Sequence, residues 1–210
     1  MQILVFGASG RVGQLVTRQL LDRGYKVKAF VHSKALDIHS DNLLIFKGDI
    51  NNKDDVKQAL LGSSVVISCL GSWGTKSKTT LSVAMRNIIN GVATDNQKTL
   101  RIISVTGGAA ISPDDQPSLI DKLNRFLFKI IAPKILDDSE EHLIILNNSQ
   151  LNWTVIRSPV MLKSNQVTYK LNTKAPSFFR TISYKSVAIA MVDQISSKDF
   201  IKQAPFIHKK

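Results

Sequence analysis

Apolar and polar positions alternate in short blocks along the first half of the chain. The run QILVF at residues 2–6 is almost continuously apolar, which is typical of a parallel strand covered on both faces. The next block, RVGQLVTRQLLDRG at residues 11–24, spaces its apolar residues along one face of a helix and ends in a glycine, so it predicts an amphipathic helix. The same criteria predict strands at 25–31, within 42–49, at 64–71 and at 99–107, and helices at 51–62 and about 77–95.

Strands and helices that alternate in this way predict an α/β fold with helices on both faces of a parallel sheet. Because parallel crossovers are right-handed, we expect a doubly wound sheet, the Rossmann fold, with strand order 3-2-1-4-5-6. We expect it to form a single domain over residues 1–210. Such sheets bind ligands outside the carboxyl ends of their strands, so the candidate site is the set of loops after residues 6, 31, 49, 70 and 105.

The second half contains one strongly amphipathic segment, SLIDKLNRFLFKII at residues 118–131. Ser118 and Asp121 have capping-box spacing and Pro133 follows, so the pattern predicts a capped helix. We expect its apolar stripe to pack on the body of the protein, with contact to a membrane surface or another subunit as the alternative. The remaining patterns predict a helix at about 138–148, a sixth strand at 152–159 and a last helix at 183–196.

Composition is that of an ordinary globular protein, with 43% hydrophobic and 21% charged residues among 210. No apolar run approaches the roughly 20 residues that cross a bilayer, and the N-terminus lacks the basic region of a signal peptide, so we expect neither a membrane span nor a leader. Cys69 is the single cysteine, which fits a reducing compartment. We interpret it as core rather than as a nucleophile, because no base is identifiable for it. The expected protein is a cytoplasmic monomer or homodimer.

The formal charge of +12 favours an anionic ligand or partner. Much of the excess lies in residues 163–210, where nine Lys and Arg residues accompany two acids. Nucleic acid is one hypothesis, but the sequence shows no aromatic RNA-binding motif, no zinc-finger spacing and no helix-turn-helix pattern. We therefore expect a small-molecule partner rather than a nucleic acid, and we predict no metal site.

The stretch GASGRVG at residues 7–13 follows the first strand and opens the first helix. In that context a glycine-rich turn predicts a dinucleotide-binding site, and a turn without a ligand is the alternative. Gly7 permits the tight turn, Gly10 lets a pyrophosphate approach the backbone, and Gly13 lets the helix pack closely on the sheet. The free N–H groups and the dipole of the helix then face the phosphates. The residues expected at the pyrophosphate are Gly7, Ser9, Gly10, Arg11, Val12 and Gly13.

The residues after the second strand bear on the choice between NAD and NADP. An NAD site usually has an acid there that binds the adenine ribose, but this chain reads FVHSK and has no acid before Asp37. His32, Ser33 and Lys34 can instead receive a 2′-phosphate through charge and hydrogen bonds. We therefore expect NADP(H), with NAD(H) as the alternative.

Two further loops are expected to follow the dinucleotide. Asp49 and Ile50 come after the third strand, where they can bind and flank the adenine. Leu70, Gly71 and Ser72 come after the fourth strand and are expected to pass under the ribose on the nicotinamide side.

Seven segments together carry a resemblance to a known family. They read ILVFGASGRVG, GYKVKAFVHS, KGDINN, VVISCLG, TTLSVAMRNII, RIISVTGGAA and LNWTVIRSPVML, and they cover nearly residues 1–165. In order and spacing they resemble the atypical short-chain dehydrogenases/reductases, within these the NAD(P)H-binding, NmrA-like proteins, and most of all the flavin reductase/biliverdin IXβ reductase branch. The resemblance implies an oxidoreductase that reduces a flavin, such as FMN or riboflavin, or a related planar acceptor with NAD(P)H.

The resemblance also bears on individual positions. It implies that Thr106 and Pro159 border the nicotinamide, and it favours an acceptor pocket formed mainly by residues 105–180. The serine that reductases of this branch can carry after the fifth strand falls at Gly107, and their lysine falls near Ile144. The catalytic candidates that remain are Thr106 and His142.

His142 and the tyrosines leave the chemistry open. His142 could donate to a substrate, or it could be solvated beside its acidic neighbours. Ordinary short-chain dehydrogenases use a Tyr-x-x-x-Lys pair, but the residues four places after Tyr25, Tyr169 and Tyr184 are Ala29, Thr173 and Ala188. Flavin reduction needs less, because hydride moves directly to the ring and water can supply the proton.

A non-catalytic dinucleotide sensor of the NmrA type is the alternative, and docking of an acidic partner or RNA by the basic C-terminal quarter is a third hypothesis.

Overall fold

Strands and helices alternate from the first residues onward. The computed structural model describes residues 1–73, 77–94, 100–175 and 180–210, and the side chains of residues 93 and 94 are outside that description. The strands are β1 Gln2–Phe6, β2 Lys26–Val31, β3 Leu43–Lys47, β4 Val65–Ser68, β5 Arg101–Gly107, β6 Asn152–Ser158, β7 Val160–Leu162, β8 Lys170–Asn172, β9 Thr181–Ser183 and β10 Phe206–His208. The helices are α1 Arg11–Asp22, α2 Lys53–Leu60, α3 Thr80–Thr94, α4 Leu119–Ile131, α5 Pro133–Asn147 and α6 Tyr184–Asp193.

Within the described ranges, one eight-stranded sheet runs through the protein in the order β3-β2-β1-β4-β5-β6-β10-β8. The strands from β3 to β10 pair in parallel, and β8 pairs antiparallel with β10 at the edge. The predicted doubly wound α/β sheet with strand order 3-2-1-4-5-6 is confirmed. Strands β7 and β9 form a separate parallel pair beyond β6. The sequence did not predict β7 to β10, because three residues are too few to show an alternating pattern.

The predicted elements are present with shifted ends. Asn52 caps α2 by accepting from the N–H groups of Asp54 and Asp55, as its sequence pattern indicates. Helix α5 begins at Pro133, earlier than the predicted residue 138, because proline fits the first turn of a helix. Positions 95 and 99, the predicted end of a helix and start of a strand, lie outside the described residues.

The core has two parts because both faces of the sheet are covered. Ile3 and Val5 of β1 pack among residues of α1 and α6, whereas Leu4 and Phe6 pack among residues of α2, α3 and α5. All four side chains are fully buried, which explains why the run at residues 2–6 is apolar at successive positions. None of the described helices combines the length and the apolar character needed to cross a bilayer.

Helix α4 exposes its apolar stripe, so the expected packing of that stripe on the body is wrong. The predicted capping box of Ser118 and Asp121 is present. No residue of the helix is buried, however, and Leu119 is 84% and Ile131 is 73% exposed. The stripe comprises Leu119, Ile120, Leu123, Phe126, Leu127, Ile130 and Ile131.

The other side of α4 attaches it to the body largely through polar contacts. Arg125 forms a two-pronged ion pair with Glu140 of α5, with Nε 2.6 Å from Oε1 and Nη2 2.8 Å from Oε2. Lys129 pairs with Asp137. The ring of Phe128 lies 6.2 Å from that of Trp73. Periodicity locates such a helix correctly but cannot say which of its faces meets the protein.

A buried arginine joins the last strands to the loop after β5. Nε of Arg157 donates to the carbonyl of Ala204 at 2.7 Å, and its Nη1 donates to the carbonyl of Ala110 at 3.2 Å. Both terminal nitrogens also bind the carboxylate of Asp115. The guanidinium carbon lies 3.7 Å from the ring centroid of Phe206 in β10. Because Arg157 is 2% exposed, its charge depends on these partners rather than on water.

We predict that Arg157→Met lowers the free energy of unfolding by about 3 kcal/mol, since removal of one partner of a buried ion pair leaves the other charge uncompensated. Urea denaturation followed by circular dichroism measures the loss. Arg86→Met is the matched control, because Arg86 forms an ion pair with Glu141 on the surface and should cost less than about 1 kcal/mol. Equal losses in the two variants would contradict the structural role of Arg157.

Candidate functional site

Three glycines hold the turn after β1 against neighbouring backbone. Gly7 has a φ of +71°, and a Cβ added to it would lie 3.0 Å from the carbonyl atoms of Cys69. A Cβ on Gly13 would lie 2.0 Å from the carbonyl oxygen of Gly7. The N–H of Gly10 closes the turn by donating to that same oxygen at 2.9 Å. Glycine is therefore required at positions 7 and 13 by close backbone approach.

The N-terminus of α1 has backbone N–H donors that no side chain of the described residues caps. Gly10 is its N-cap residue and provides no side-chain cap, and the first turn contains no acid. Ser9 is half-buried, whereas the side chain of Val12 is buried in the core, so Val12 can offer a ligand only its backbone. Free N–H groups at the positive end of a twelve-residue helix suit a phosphate group. The residues at this turn therefore fit a dinucleotide.

Arg11 is held beside this helix end by Tyr184, which the sequence analysis considered only in the search for a Tyr-x-x-x-Lys pair. Nη1 of Arg11 donates to the hydroxyl of Tyr184 at 3.0 Å, and the guanidinium carbon lies 5.8 Å from the centroid of the tyrosine ring. Tyr184 begins α6, 173 positions away along the chain. No local pattern could have indicated this pairing.

The three residues expected at the adenine ribose follow β2 and are exposed, namely His32, Ser33 and Lys34. Nε2 of His32 lies 4.0 Å from Oδ2 of Asp49. Asp49 is itself held in place, because its Oδ1 accepts from the backbone and side-chain N–H groups of Asn51 at 2.9 and 2.8 Å. These hydrogen bonds, the backbone one above all, hold the pKa of Asp49 below its usual value. The loops after β2 and β3 thus meet at one edge of the sheet.

The loop after β3 is anchored from α3. Nδ2 of Asn87, a buried residue of that helix, donates to the carbonyl of Ile50 at 2.7 Å. The side chain of Ile50 packs against the core. The position of this residue beside the expected adenine is therefore fixed by a contact that the sequence analysis did not foresee.

The loop after β4 buries one of its three expected cofactor residues. Leu70 is half-buried and Gly71 is exposed, with no atom of the described residues within 4 Å of a Cβ built on it. Ser72 is buried, and its hydroxyl donates to Asp138 of α5. That hydroxyl is directed into the protein, so the expected position of Ser72 under the ribose stays a prediction for its backbone alone. Burial raises the pKa of the Cys69 thiol, which keeps it protonated and supports its interpretation as core.

Asp138 also caps the N-terminus of α3. Its carboxylate accepts from the N–H of Leu81 at 3.0 Å and from the N–H of Ser82 at 2.9 Å. A residue of α5 therefore satisfies the first donors of α3, in the way that a capping side chain does.

The end of β5 carries one orphaned polar atom. The hydroxyl of Thr106 is buried and has no hydrogen-bond partner among the described residues. Gly107 is exposed, and no atom in the described part of the chain lies within 4 Å of a Cβ built on it. Gly108 is pressed against β6, since its N–H donates to the carbonyl of Ser158 at 2.8 Å. Pro159 follows directly and is half-buried.

His142 lies inside the protein, so its expected solvation beside Glu140 and Glu141 is wrong. It is fully buried, and its Nε2 lies 3.0 Å from the hydroxyl oxygen of Ser104 on β5. Burial lowers its pKa from 6.5 to about 4, and the nearby charge of Asp138 opposes that effect only in part. A buried, neutral imidazole cannot donate a proton to a substrate at the surface, so we remove His142 from the catalytic candidates.

A cavity of about 320 Å³ lies at the carboxyl ends of β6 and β10. Its volume is at the lower end of the range for small-molecule sites. It lies past Gly107 on the side of the sheet formed by the carboxyl ends of the parallel strands, where the glycine turn also lies. Its lining residues are Pro159, Lys170, Asn172, Lys174, Ala175, Arg180, Thr181, Ile207, His208 and Lys209. Within the described parts of the chain, no cluster of three or more His, Cys, Asp or Glu residues could hold a metal.

A model of a family described as NAD(P)H-binding matches residues 7–198. The chain belongs to this NAD(P)H-binding family. The match begins at Gly7 and therefore includes the whole glycine turn. The resemblance carried by the seven sequence segments is confirmed at the level of this NAD(P)H-binding family.

Solved structures share the whole fold with this member of the NAD(P)H-binding family. A short-chain dehydrogenase/reductase from Veillonella parvula, in complex with NADP, is 18% identical with a TM-score of 0.77, over 99% of this chain and 94% of the other. A candidate NADH-flavin reductase from Streptococcus pneumoniae is 23% identical with a TM-score of 0.74, over 100% of both chains. An anaerobillin reductase from Escherichia coli O157:H7 is 18% identical with a TM-score of 0.76, over 100% of this chain and 97% of the other.

Curated relatives match shorter stretches. A 2-alkyl-3-oxoalkanoate reductase from Shewanella oneidensis is 32% identical over 75 residues, which are 34% of this chain and 19% of the relative. A decarboxylating sterol-4-alpha-carboxylate 3-dehydrogenase from Mus musculus is 44% identical over 69 residues, which are 31% of this chain and 17% of the relative. The matched stretch spans less than a fifth of the length of either relative.

We predict that His142 makes the protein less stable as the pH falls below about 6.5. The folded state keeps the imidazole neutral down to a pKa of about 4, whereas the unfolded chain takes up the proton near 6.5. Because the unfolded state binds more protons in this window, the free energy of unfolding decreases as the pH falls from about 6.5 to 4. The full loss is on the order of 3 kcal/mol. Urea titrations at about pH 7.5 and pH 5 measure it.

His142→Gln keeps a hydrogen-bonding group for Ser104 and removes the titration. Its loss of stability between the two pH values should be smaller than that of the wild type by about 2 kcal/mol. His32→Gln, at an exposed position, is the matched control and should keep the wild-type loss. A His142→Gln variant with the full wild-type loss would show that this histidine is not the group that titrates.

Proposed function

We propose that the protein is an NADP(H)-dependent oxidoreductase that reduces a planar acceptor of the flavin type. The observation that carries the proposal is the position of the cavity beside Pro159, at the same sheet edge as the open N-terminus of α1. A dinucleotide laid along this edge from the glycine turn would bring its reactive end toward the cavity. The reductase names of two structural relatives also support the proposal. We retain residues 1–210 as a single NAD(P)-binding domain.

The glycine turn holds the pyrophosphate in this proposal. Gly7, Gly10 and Gly13 leave room for it, and the N–H groups at the start of α1 donate to it. Arg11 adds a positive charge in an orientation that Tyr184 maintains. Ser9 offers a further hydroxyl.

The adenine end selects NADP(H) over NAD(H). His32, Ser33 and Lys34 provide two donors and a charge for a 2′-phosphate, and all three are exposed after β2. Asp49 lies close to His32, and one of its oxygens is occupied by Asn51. Asp49 and Ile50 together border the adenine.

The nicotinamide end is bordered by the loops after β4, β5 and β6. Leu70 and Gly71 pass beneath the ribose, and Pro159 borders the ring. The buried hydroxyl of Thr106, at the end of β5, has no hydrogen-bond partner among the described residues, and we assign it to a polar group of the nicotinamide. The acceptor pocket then extends beyond residues 105–180 to Thr181 and the end of β10, and residues 176–179 lie outside the described structure.

Bound NADPH supplies a hydride, and water can supply the proton that completes the reduction. The residues of the chain hold the nicotinamide and the acceptor ring in a fixed orientation and a short distance apart. Orientation of this kind can account for most of the rate in a reaction that needs no protein acid or base.

A non-catalytic dinucleotide sensor is the second candidate. Reductases of the flavin reductase branch that this chain resembles can carry a serine at the position of Gly107, which supplies no hydroxyl. His142 is buried and neutral. A sensor would use the same dinucleotide site and leave the cavity without a turnover role.

The deciding experiment measures oxidation of NADPH and NADH with FMN, riboflavin and a soluble quinone as acceptors, beside fluorescence titration of both cofactors. We expect turnover above background with at least one acceptor and a preference for NADPH. Tight NADPH binding with no turnover for any acceptor would favour the sensor.

Gly107→Ser has space for the new side chain and should raise kcat/KM for FMN about tenfold. Gly107→Ala is its matched control, since it adds the Cβ without the hydroxyl.

We predict that the double variant Ser33→Ala, Lys34→Ala raises the Kd for NADPH about tenfold and leaves the Kd for NADH unchanged, because only NADPH carries the 2′-phosphate. Isothermal titration calorimetry measures both constants. Lys26→Ala removes the same charge at the opposite end of β2 and serves as the control. Equal weakening of NADH and NADPH would mean that these residues do not select the cofactor.

A further inference from the structure

The cavity beyond β6 is strongly cationic. Lys170, Lys174, Arg180 and Lys209 line it together with His208, and its described lining contains no acid. The four cations come from separate segments, before β9, after β10 and at both ends of β8. The fold thus gathers basic residues from different parts of the C-terminal quarter around one concave surface.

These cations are left without carboxylate partners, unlike several others in the protein. Five other cations each form an ion pair with a carboxylate, namely Arg23, Arg86, Arg125, Lys129 and Arg157. Across the described ranges, no ion pair involves any of the four cavity cations. Like charges around one cavity repel each other, and a bound anion relieves that repulsion.

The 2′-phosphate of the dinucleotide is too far away to be that anion. The residues assigned to it follow β2, which is five strand spacings from β10. At about 4.8 Å per spacing this separation is roughly 24 Å. The pyrophosphate belongs at the glycine turn after β1, four spacings away. The cavity charges therefore lie too far away to hold either phosphate site of the dinucleotide.

We propose that this cavity binds an anionic group of the acceptor, a phosphate or a carboxylate, through Lys170, Lys174, Arg180 and Lys209. The inference rests on the proposed function, because it assigns the cavity to the acceptor. Pro159 borders both the cavity and the expected nicotinamide, so an acceptor could place its ring beside the nicotinamide and its anionic tail among the cations. The cations are exposed, so their attraction should weaken as salt increases.

Direct binding tests the proposal without turnover. FMN, 10-carboxymethylflavin and riboflavin share one ring system and carry a phosphate, a carboxylate and no charged group. Their Kd values are measured by flavin fluorescence in the presence of NADP⁺, at about 50 mM and about 500 mM salt. We expect at least one of the two anionic flavins to bind about tenfold more tightly than riboflavin at low salt and less than about threefold more tightly at high salt. The preferred flavin identifies the anionic group.

Charge removal inside the cavity is the second arm. The double variant Lys170→Gln, Arg180→Gln should weaken binding of the preferred anionic flavin about tenfold and leave riboflavin unchanged. Lys163→Gln, Lys198→Gln is the matched control, since it removes two charges from the same quarter of the chain but outside the cavity lining. NADPH should bind both variants with the wild-type Kd, which also shows that they are folded.

The outcomes separate this inference from the proposed function. Equal Kd values for the three flavins, or equal weakening in the control variant, would overturn the anionic site. Selective binding of an anionic flavin without NADPH oxidation would support the site and overturn the reductase function. Equal kcat/KM for riboflavin, FMN and 10-carboxymethylflavin, together with equal Kd values, would support the reductase function and overturn the anionic site.

Discussion

The buried guanidinium of Arg157 is the interaction on which the acceptor side of the protein depends. It connects β6 to the loop after β5 through Asp115 and Ala110, and to the segment before β10 through Ala204. Strand β6 leads directly into Pro159, and β10 contains Ile207 and His208, which all line the cavity. An apolar side chain could fill the same volume, but it could not satisfy two carbonyls and a carboxylate at once. The geometry of this region therefore follows from one side chain with five directed donors.

The dinucleotide side is built in a different way. There the constraints are contacts between backbone atoms, such as the approach of Gly13 to the carbonyl of Gly7. Backbone contacts of this kind accept only glycine, whereas the cavity side consists of side chains that can be exchanged without moving the main chain. The sequence at the dinucleotide end is thus tightly constrained, whereas side chains at the cavity end can be substituted. Such an arrangement suits a fold that keeps one cofactor and changes its acceptor.

Local patterns predicted what local contacts determine. The cap at Asn52, the capping box at Ser118 and the glycine turn each depend on residues within a few positions, and all are present. The partners of His142 and Arg11 lie 38 and 173 positions away, so no window of sequence contains the information. The cationic cavity was visible only as an excess of charge in the last quarter of the chain. Its concentration around one surface depends on strands of three residues that show no pattern of their own.

The contact between Asp138 and the start of α3 has a consequence for the order of folding. The acceptor of the first N–H groups of α3 lies 57 and 56 positions further along the chain. A nascent α3 therefore leaves the ribosome without the group that completes its first turn, and it gains that group only when α5 has been made and has docked. Helices α3 and α5 therefore reach their native structure together. This couples the loop after β4, which precedes α3, to the second half of the chain from the start of native structure formation.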